Sequence, residues 1–281
     1  MEIMGEDKYY SIGEVSEICK ISKKALRFYD KIGLVSPDYI DQENHYRFYS
    51  RKTLLFFPII KYYKQMGFKL EEMKKFLFSQ ETYMFHINGF EDKIKEIIEI
   101  QEQMNVSYKS IKDWQEMLFE AENVLRTGYT GVSVKYIKPE KVIYMDQEFE
   151  FNYMESIINI EWTNYLDSIN QAITGPVMIR FSSIEDKINA KKTKVKVFQE
   201  MIGSLSGEKQ MTCFGDFFAS CYHIGPHNSL NETYDKILKW IGENGYKVQG
   251  EVIERYLTDY WASNNAETFV TEVIVSIEKA R

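Results

Sequence analysis

The sequence predicts a multidomain α+β protein. It has an N-terminal winged helix-turn-helix over residues 1–80, a long helix over 81–128 that dimerises as a coiled coil, and a C-terminal domain over 129–281 built from a doubled β-β-α-β-β unit. Three observations carry this. Two short amphipathic stretches precede a polar turn set between two Arg-aromatic-Tyr triplets. A proline-free stretch from 84 to 126 places apolar residues at heptad spacing. The remainder of the chain then runs twice through strand-turn-strand, helix, strand, strand.

Taken in order, Ser11 precedes IGEVSEIC, whose apolar residues at 12, 15 and 18 mark a short helix. Ser22 caps KKALRFYDKIG, with Ala25, Leu26, Tyr29 and Ile32 on one face and Gly33 closing it. An apolar-faced helix followed by one with a basic start reads as a helix-turn-helix. The turn Asp41-Gln42-Glu43-Asn44, between aromatic arms ending in Arg47-Phe48-Tyr49, suggests a β-ribbon wing. Ser50 starts a third helix through RKTLLFFPIIKYYKQMG, bent by Pro58, and KLEEMKKFLF forms a fourth. Leu26 and Phe48 are read as core.

From 84 to 126 apolar residues fall at 90, 94, 97, 104, 108, 111, 118 and 125, with Gln101, Gln115 and Glu122 completing the register. Such an imperfect a/d stripe is covered most economically by a second copy of itself. Beyond it, VKYIKPEKVIYMD, a helical stretch at 154–171, VMIRFSS and TKVKVFQEMIG form the first half. MTCFGDFFASCYHIG, a helix at 228–243, VQGEVIERYL and TFVTEVIVSIE form the second. Two related halves predict a groove between them.

Composition narrows the function. At 281 residues, 44% hydrophobic and 27% charged, the chain has enough apolar content for real cores. The aromatic content is high, with 20 Tyr and 18 Phe. No apolar run is long enough to span a bilayer and the start does not read as a signal peptide, so a cytoplasmic protein with no membrane partner is expected. Cys19, Cys213 and Cys221 are scattered, which fits a reducing compartment, and residues 100–135 hold neither Cys nor His. A thiolate metal site and a cofactor are therefore not expected. Residues 1–80 carry 14 Lys and Arg against 11 Asp and Glu, while 81–129 and 130–281 are each five charges negative. A basic head on an acidic body suits DNA at one end.

The stretch YYSIGEVSEICKISKKALRFYDKIGLVSPDYIDQENHYRFYS resembles the MerR family of bacterial transcription regulators across the whole DNA-binding region. From residue 130 on, GDFFASCYHIGPHNSLNETYDKILKWIGENGY and VIERYLTD are similar to the GyrI-like effector domain, in a combination most similar to the multidrug-sensing BmrR type. The resemblance implies a homodimer on inverted-repeat promoter DNA, acting with RNA polymerase. A lipophilic small molecule bound in the C-terminal domain would trigger a bend and untwisting that realign promoter elements. It implies DNA contacts from Ser22, Lys23 and Lys24 at the start of the recognition helix, and from Arg27, Tyr29, Tyr46, Arg47 and Lys64 to the backbone. Phe28 stands where the family has Tyr, so one hydroxyl contact is missing there.

By the same resemblance Glu254 is the acidic residue of an effector pocket, with Tyr222, Tyr256, Phe269 and Phe181 on neighbouring strands. A carboxylate among aromatic rings pairs with a lipophilic cation through charge and cation-π attraction. Trp261 lies in a loop nearby, and Phe151 and Tyr153 are placed to form a lid. A second reading is a GyrI-like hydrolase or scavenger in which Glu254 activates water beside Tyr256. A third, a nucleoid-type structural DNA binder, is disfavoured by the acidic body.

Overall fold

A computed structural model describes residues 8–79, 82–153, 160–169, 171–189, 192–203 and 209–280. The chain divides into two compact units, 1–101 and 102–281.

In the first unit, β1 (Tyr9–Ser11) leads into α1 (Ile12–Cys19). Ser11 caps Glu14 while the Glu14 carboxylate returns to Ser11, a reciprocal box that satisfies donors the helix leaves open. Lys20 in the left-handed region ends the helix, and Ser22 caps α2 (Lys23–Lys31) by accepting from the Ala25 N–H. The wing consists of β2 (Tyr39–Ile40) and β3 (Arg47–Ser50), and β1 adds to β3 as a third strand. Asp41 holds the wing turn by accepting from the Glu43 and Asn44 N–H groups. The expected single third helix is broken into α3 (Arg51–Leu54) and α4 (Phe56–Gln65) at Leu55. Pro58 has no N–H for the Leu54 carbonyl, so the continuous ladder fails there.

α5 (Leu70–Leu77) and the start of α6 (Tyr83–Thr127) complete this unit. Gly89 has a packing reason, because a Cβ there would meet the Phe76 ring at 2.2 Å. The core gathers Val15, Leu26, Tyr49, Phe57 and Met73.

The second unit is one eight-stranded sheet: β4 (Ser133–Ile137), β5 (Glu140–Phe149), β6 (Ile173–Phe181), β7 (Thr193–Met201), β8 (Gln210–Cys213), β9 (Asp216–Ile224), β10 (Tyr246–Thr258) and β11 (Val270–Lys279). The order β4-β9-β11-β10-β6-β7-β5-β8 shows the duplication, since each half lends its first strand to the other. The halves join directly, β10 on β6 with Glu254 opposite Ile179. The two halves therefore form one continuous sheet.

Helices α7 (Ile160–Ser168), α8 (Ile184–Asn189) and α9 (Leu230–Glu243) follow, the first and last burying Trp162, Leu166, Tyr234 and Ile237 against one face. α8 is an addition to the predicted pattern, and residues 154–159 of the predicted 154–171 helix lie outside the described set. The end of α6 packs through Met117, Ala121 and Val124 against Leu257 and Val270. No helix among the described residues is long and apolar enough to cross a membrane.

Candidate functional site

On the first unit, Lys23, Lys24, Arg27 and Phe28 are exposed along the start and outer face of α2, with the Ser22 cap at its head. Tyr46 projects from the wing, and Arg47 is held by an ion pair of 2.9 Å from its Nε to Asp30 on α2. One element thus orients the wing guanidinium from the recognition helix. Tyr29 turns toward the core. Its ring is only 4% exposed because it fills the core face of α2, and its hydroxyl accepts from the Lys64 ammonium at 3.2 Å. Lys23, Lys24, Arg27 and Lys64 stay exposed, and Arg47 is half-buried beside Asp30.

In the second unit, strand register isolates Glu254. Cys221, Val273, Glu254, Ile179 and Val197 stand side by side across five strands on the face that carries α7 and α9. Glu254 is the only charge in that row and is fully buried. Burying a carboxylate is costly unless every oxygen is matched. Oε1 accepts from Tyr234 at 2.8 Å and from Tyr153 at 3.5 Å, and Oε2 accepts from Tyr256. The charge is balanced by Lys187, whose ammonium lies 3.4 Å from Oε1. That ammonium is itself ringed by Tyr234, Phe151, Tyr153 and Phe181, with centroids 4.9–5.6 Å away.

Burial and the adjacent carboxylate push the hydroxyl pKa values of Tyr153, Tyr234 and Tyr256 well above the ordinary range, so all three remain donors.

Of the expected pocket residues, Tyr256 donates to Glu254 and Phe181 flanks the Lys187 ammonium paired with it. Phe269 lies one step out, stacked on His227, whose ring also contacts Tyr153 and Tyr256 at 5.3 Å each. Tyr222 is corrected: it stands beside Glu272 and Arg255 in the row on the opposite face, because strand neighbours alternate in direction. There its hydroxyl donates to Glu120 of α6 at 2.7 Å.

Trp261 packs edge-on against Trp114 at 4.5 Å, and both line a cavity of about 170 Å³ with Trp162, Val177, Tyr256 and Asp259. This cavity is apolar and shares Tyr256 with the Glu254 cluster. A second cavity of about 430 Å³ on the opposite face is lined by Glu120, Lys135, Arg255 and Glu272. Among the described residues no group of three or more His, Cys, Asp or Glu is placed to hold a metal ion.

Sequence reasoning missed Lys187, Tyr234 and His227. Tyr234 follows from the apolar face of α9, but Lys187 reads like any surface lysine. His227 is 5% exposed, and neither ring nitrogen has a partner among the described residues. Burial, with a smaller push from His223, lowers its pKa to about 4. A folded-state value below the unfolded one makes the unfolded chain take up the proton first. This contribution is therefore complete above about pH 6.5 and lost progressively toward about pH 4. His227→Phe retains the stacking and removes two unpaired nitrogens. It is expected to add about 1–3 kcal/mol at pH 7 and to flatten the decline between pH 7 and 5, as read by urea unfolding at both values.

These two arrangements define a DNA-binding head joined to a small-molecule-binding body. Residues 130–278 match the GyrI-like small molecule binding domain, and the chain belongs to that family. Residues 10–80 match the MerR HTH family of regulatory proteins. Two relatives in Bacillus subtilis (strain 168) align end to end. The multidrug-efflux transporter 1 regulator is 26% identical over 97% of this chain and 99% of its own length. The multidrug-efflux transporter 2 regulator is 26% identical over 98% and 100%. Among solved structures, the EcmrR–DNA complex in EcmrR-RPo covers 96% of this chain and all of that one at 22% identity, with a TM-score of 0.46.

Proposed function

We propose that the protein is a cytoplasmic, ligand-responsive transcription activator. It binds an inverted-repeat promoter as a homodimer and acts on RNA polymerase when a lipophilic compound occupies the aromatic chamber at Glu254. The observation that carries this reading is the presence, on one chain, of an exposed basic recognition helix and wing together with a buried carboxylate enclosed by aromatic rings. Regulators of multidrug-efflux transporters among the relatives support it.

A dimer is supported by α6, where Met104, Tyr108 and Ile111 of the heptad stripe are each at least two-thirds exposed and Ile94, Ile97 and Leu118 are also open. Two recognition helices at a fixed spacing can then distort the operator between them, at a cost of several kcal/mol that ligand binding offsets.

Sensing fits Glu254 better than hydrolysis does. A carboxylate offers about four acceptor positions, and the three phenols and Lys187 fill them. None is left to take a proton from water.

Arg47→Ala tests the DNA half. On a promoter-derived duplex it is expected to weaken binding about ten- to a hundredfold per dimer and to lower the log-salt slope by about 2. Unchanged affinity and slope in filter binding would remove the wing from the interface.

A further inference from the structure

Glu254 already holds a cation, and it belongs to the chain. We propose that Lys187 is a tethered occupant of the effector's cation position. A lipophilic monocation binds by exchanging with it, sending the ammonium out to solvent. This rests on the chamber being the effector site.

The geometry of the chamber makes exchange the available route. Lys187 is 3% exposed, lies 3.4 Å from Glu254 Oε1, and sits within 5.6 Å of four ring centroids. That is the surrounding an aromatic cage offers to a bound ammonium ligand. A second cation entering beside it would set two positive charges against one carboxylate in a desolvated site, which is unfavourable. The phenols of Tyr153, Tyr234 and Tyr256 are neutral donors anchored in packed rings. Lys187, by contrast, reaches in on a flexible four-carbon stem from a six-residue helix.

Hydration then selects the ligand. An ammonium regains a strong hydration shell when expelled, whereas a quaternary or delocalised cation gives up little on entering. A neutral molecule cannot replace Lys187 without stranding Glu254, and a small hydrated cation gains nothing over it. His227 fits the same chamber, since its unpartnered nitrogens lie in the ring cluster with Tyr153 and Tyr256. Lys187 therefore sets both a threshold and a chemical class for the effector.

The test uses the full chain, with phenyltrimethylammonium as probe and tert-butylbenzene as its uncharged isostere. Lys187→Met keeps the stem and removes the charge. Calorimetry is expected to show phenyltrimethylammonium binding at least tenfold tighter to Lys187→Met than to wild type. Affinity for tert-butylbenzene should change less than threefold, and Glu254→Gln should remove the cation preference in either background. Equal or weaker cation binding by folded Lys187→Met overturns the exchange and leaves the chamber standing. No binding of either probe to either protein overturns the chamber reading and the exchange with it.

Reductive methylation of wild type, read by mass spectrometry, is independent of how the variant folds. Lys187 is expected to be protected in the free protein and with tert-butylbenzene, and modified when phenyltrimethylammonium saturates. Protection that persists in the cation complex overturns the proposal.

Discussion

Glu254→Ala is expected to destabilise the second unit by about 3–5 kcal/mol, the usual cost of removing one partner from a buried ion pair. The deletion strands the Lys187 ammonium among its rings and leaves the hydroxyls of Tyr153, Tyr234 and Tyr256 without their acceptor. The loss is larger than a surface salt bridge gives because neither charge has water to fall back on.

Adding Lys187→Met should restore part of it, since an apolar pair asks for no compensation. The coupling in a double-mutant cycle is expected to reach about 2 kcal/mol or more. Urea unfolding of the four proteins measures both numbers. A loss below about 1 kcal/mol would show the pair to be hydrated in solution and would take the buried charge out of the account.

Arg255→Met should be as damaging on the other face. Arg255 forks onto both carboxylate oxygens of Glu120 at 2.7 and 2.9 Å, and its Nη1 also reaches Glu272 at 3.1 Å. Glu272 is 1% exposed, with Lys135 and Ser220 as its remaining donors. Removing the guanidinium leaves a buried carboxylate under-compensated and frees the only cation that ties Glu120 of α6 to the sheet among the described residues. A loss of about 3–5 kcal/mol is expected, and Arg255→Lys should recover only part because a single point charge cannot fork.

The pH dependence separates this from a packing defect. Burial raises the Glu120 carboxyl, but the Arg255 hydrogen bonds and charge, aided by Tyr222, hold it below its ordinary value. A lowered folded pKa contributes stability that is present above about pH 4.5 and lost as pH falls through the folded value. The gap between wild type and Arg255→Met should therefore narrow below pH 4.5. A gap that stays constant with pH would assign the loss to packing.

What the sequence shows of the fold follows from the kind of signal each residue carries. The helix starts at Ser11 and Ser22 and the aromatic wing depend on interactions within a few residues, so pattern and residue type announced them. The open stripe on α6 was equally readable, because helical period alone puts 94, 97, 104, 108 and 111 together. Glu254 was found through family resemblance, and Tyr256 came with it, two residues on along the same strand face.

Tyr222 failed for the reason that makes strands hard to phase. One residue of offset sends a side chain to the other face, where Glu120, Arg255 and Glu272 form a separate network. Tyr29 keeps its ring on the core side of the recognition helix while its hydroxyl reaches Lys64. The break at Leu55 was half visible in Pro58.

The sequence by itself determined the helix-turn-helix head with its basic face, the long helix and the doubled run of strands beyond it, because each is local or periodic. Only the tertiary structure decided what the Glu254 carboxylate meets. Lys187 lies 67 positions from Glu254 along the chain, on a helix too short to announce itself. Strand order and helix packing alone bring its ammonium into the ring cage, since a counter-ion pairing at that separation leaves no periodic trace in the chain.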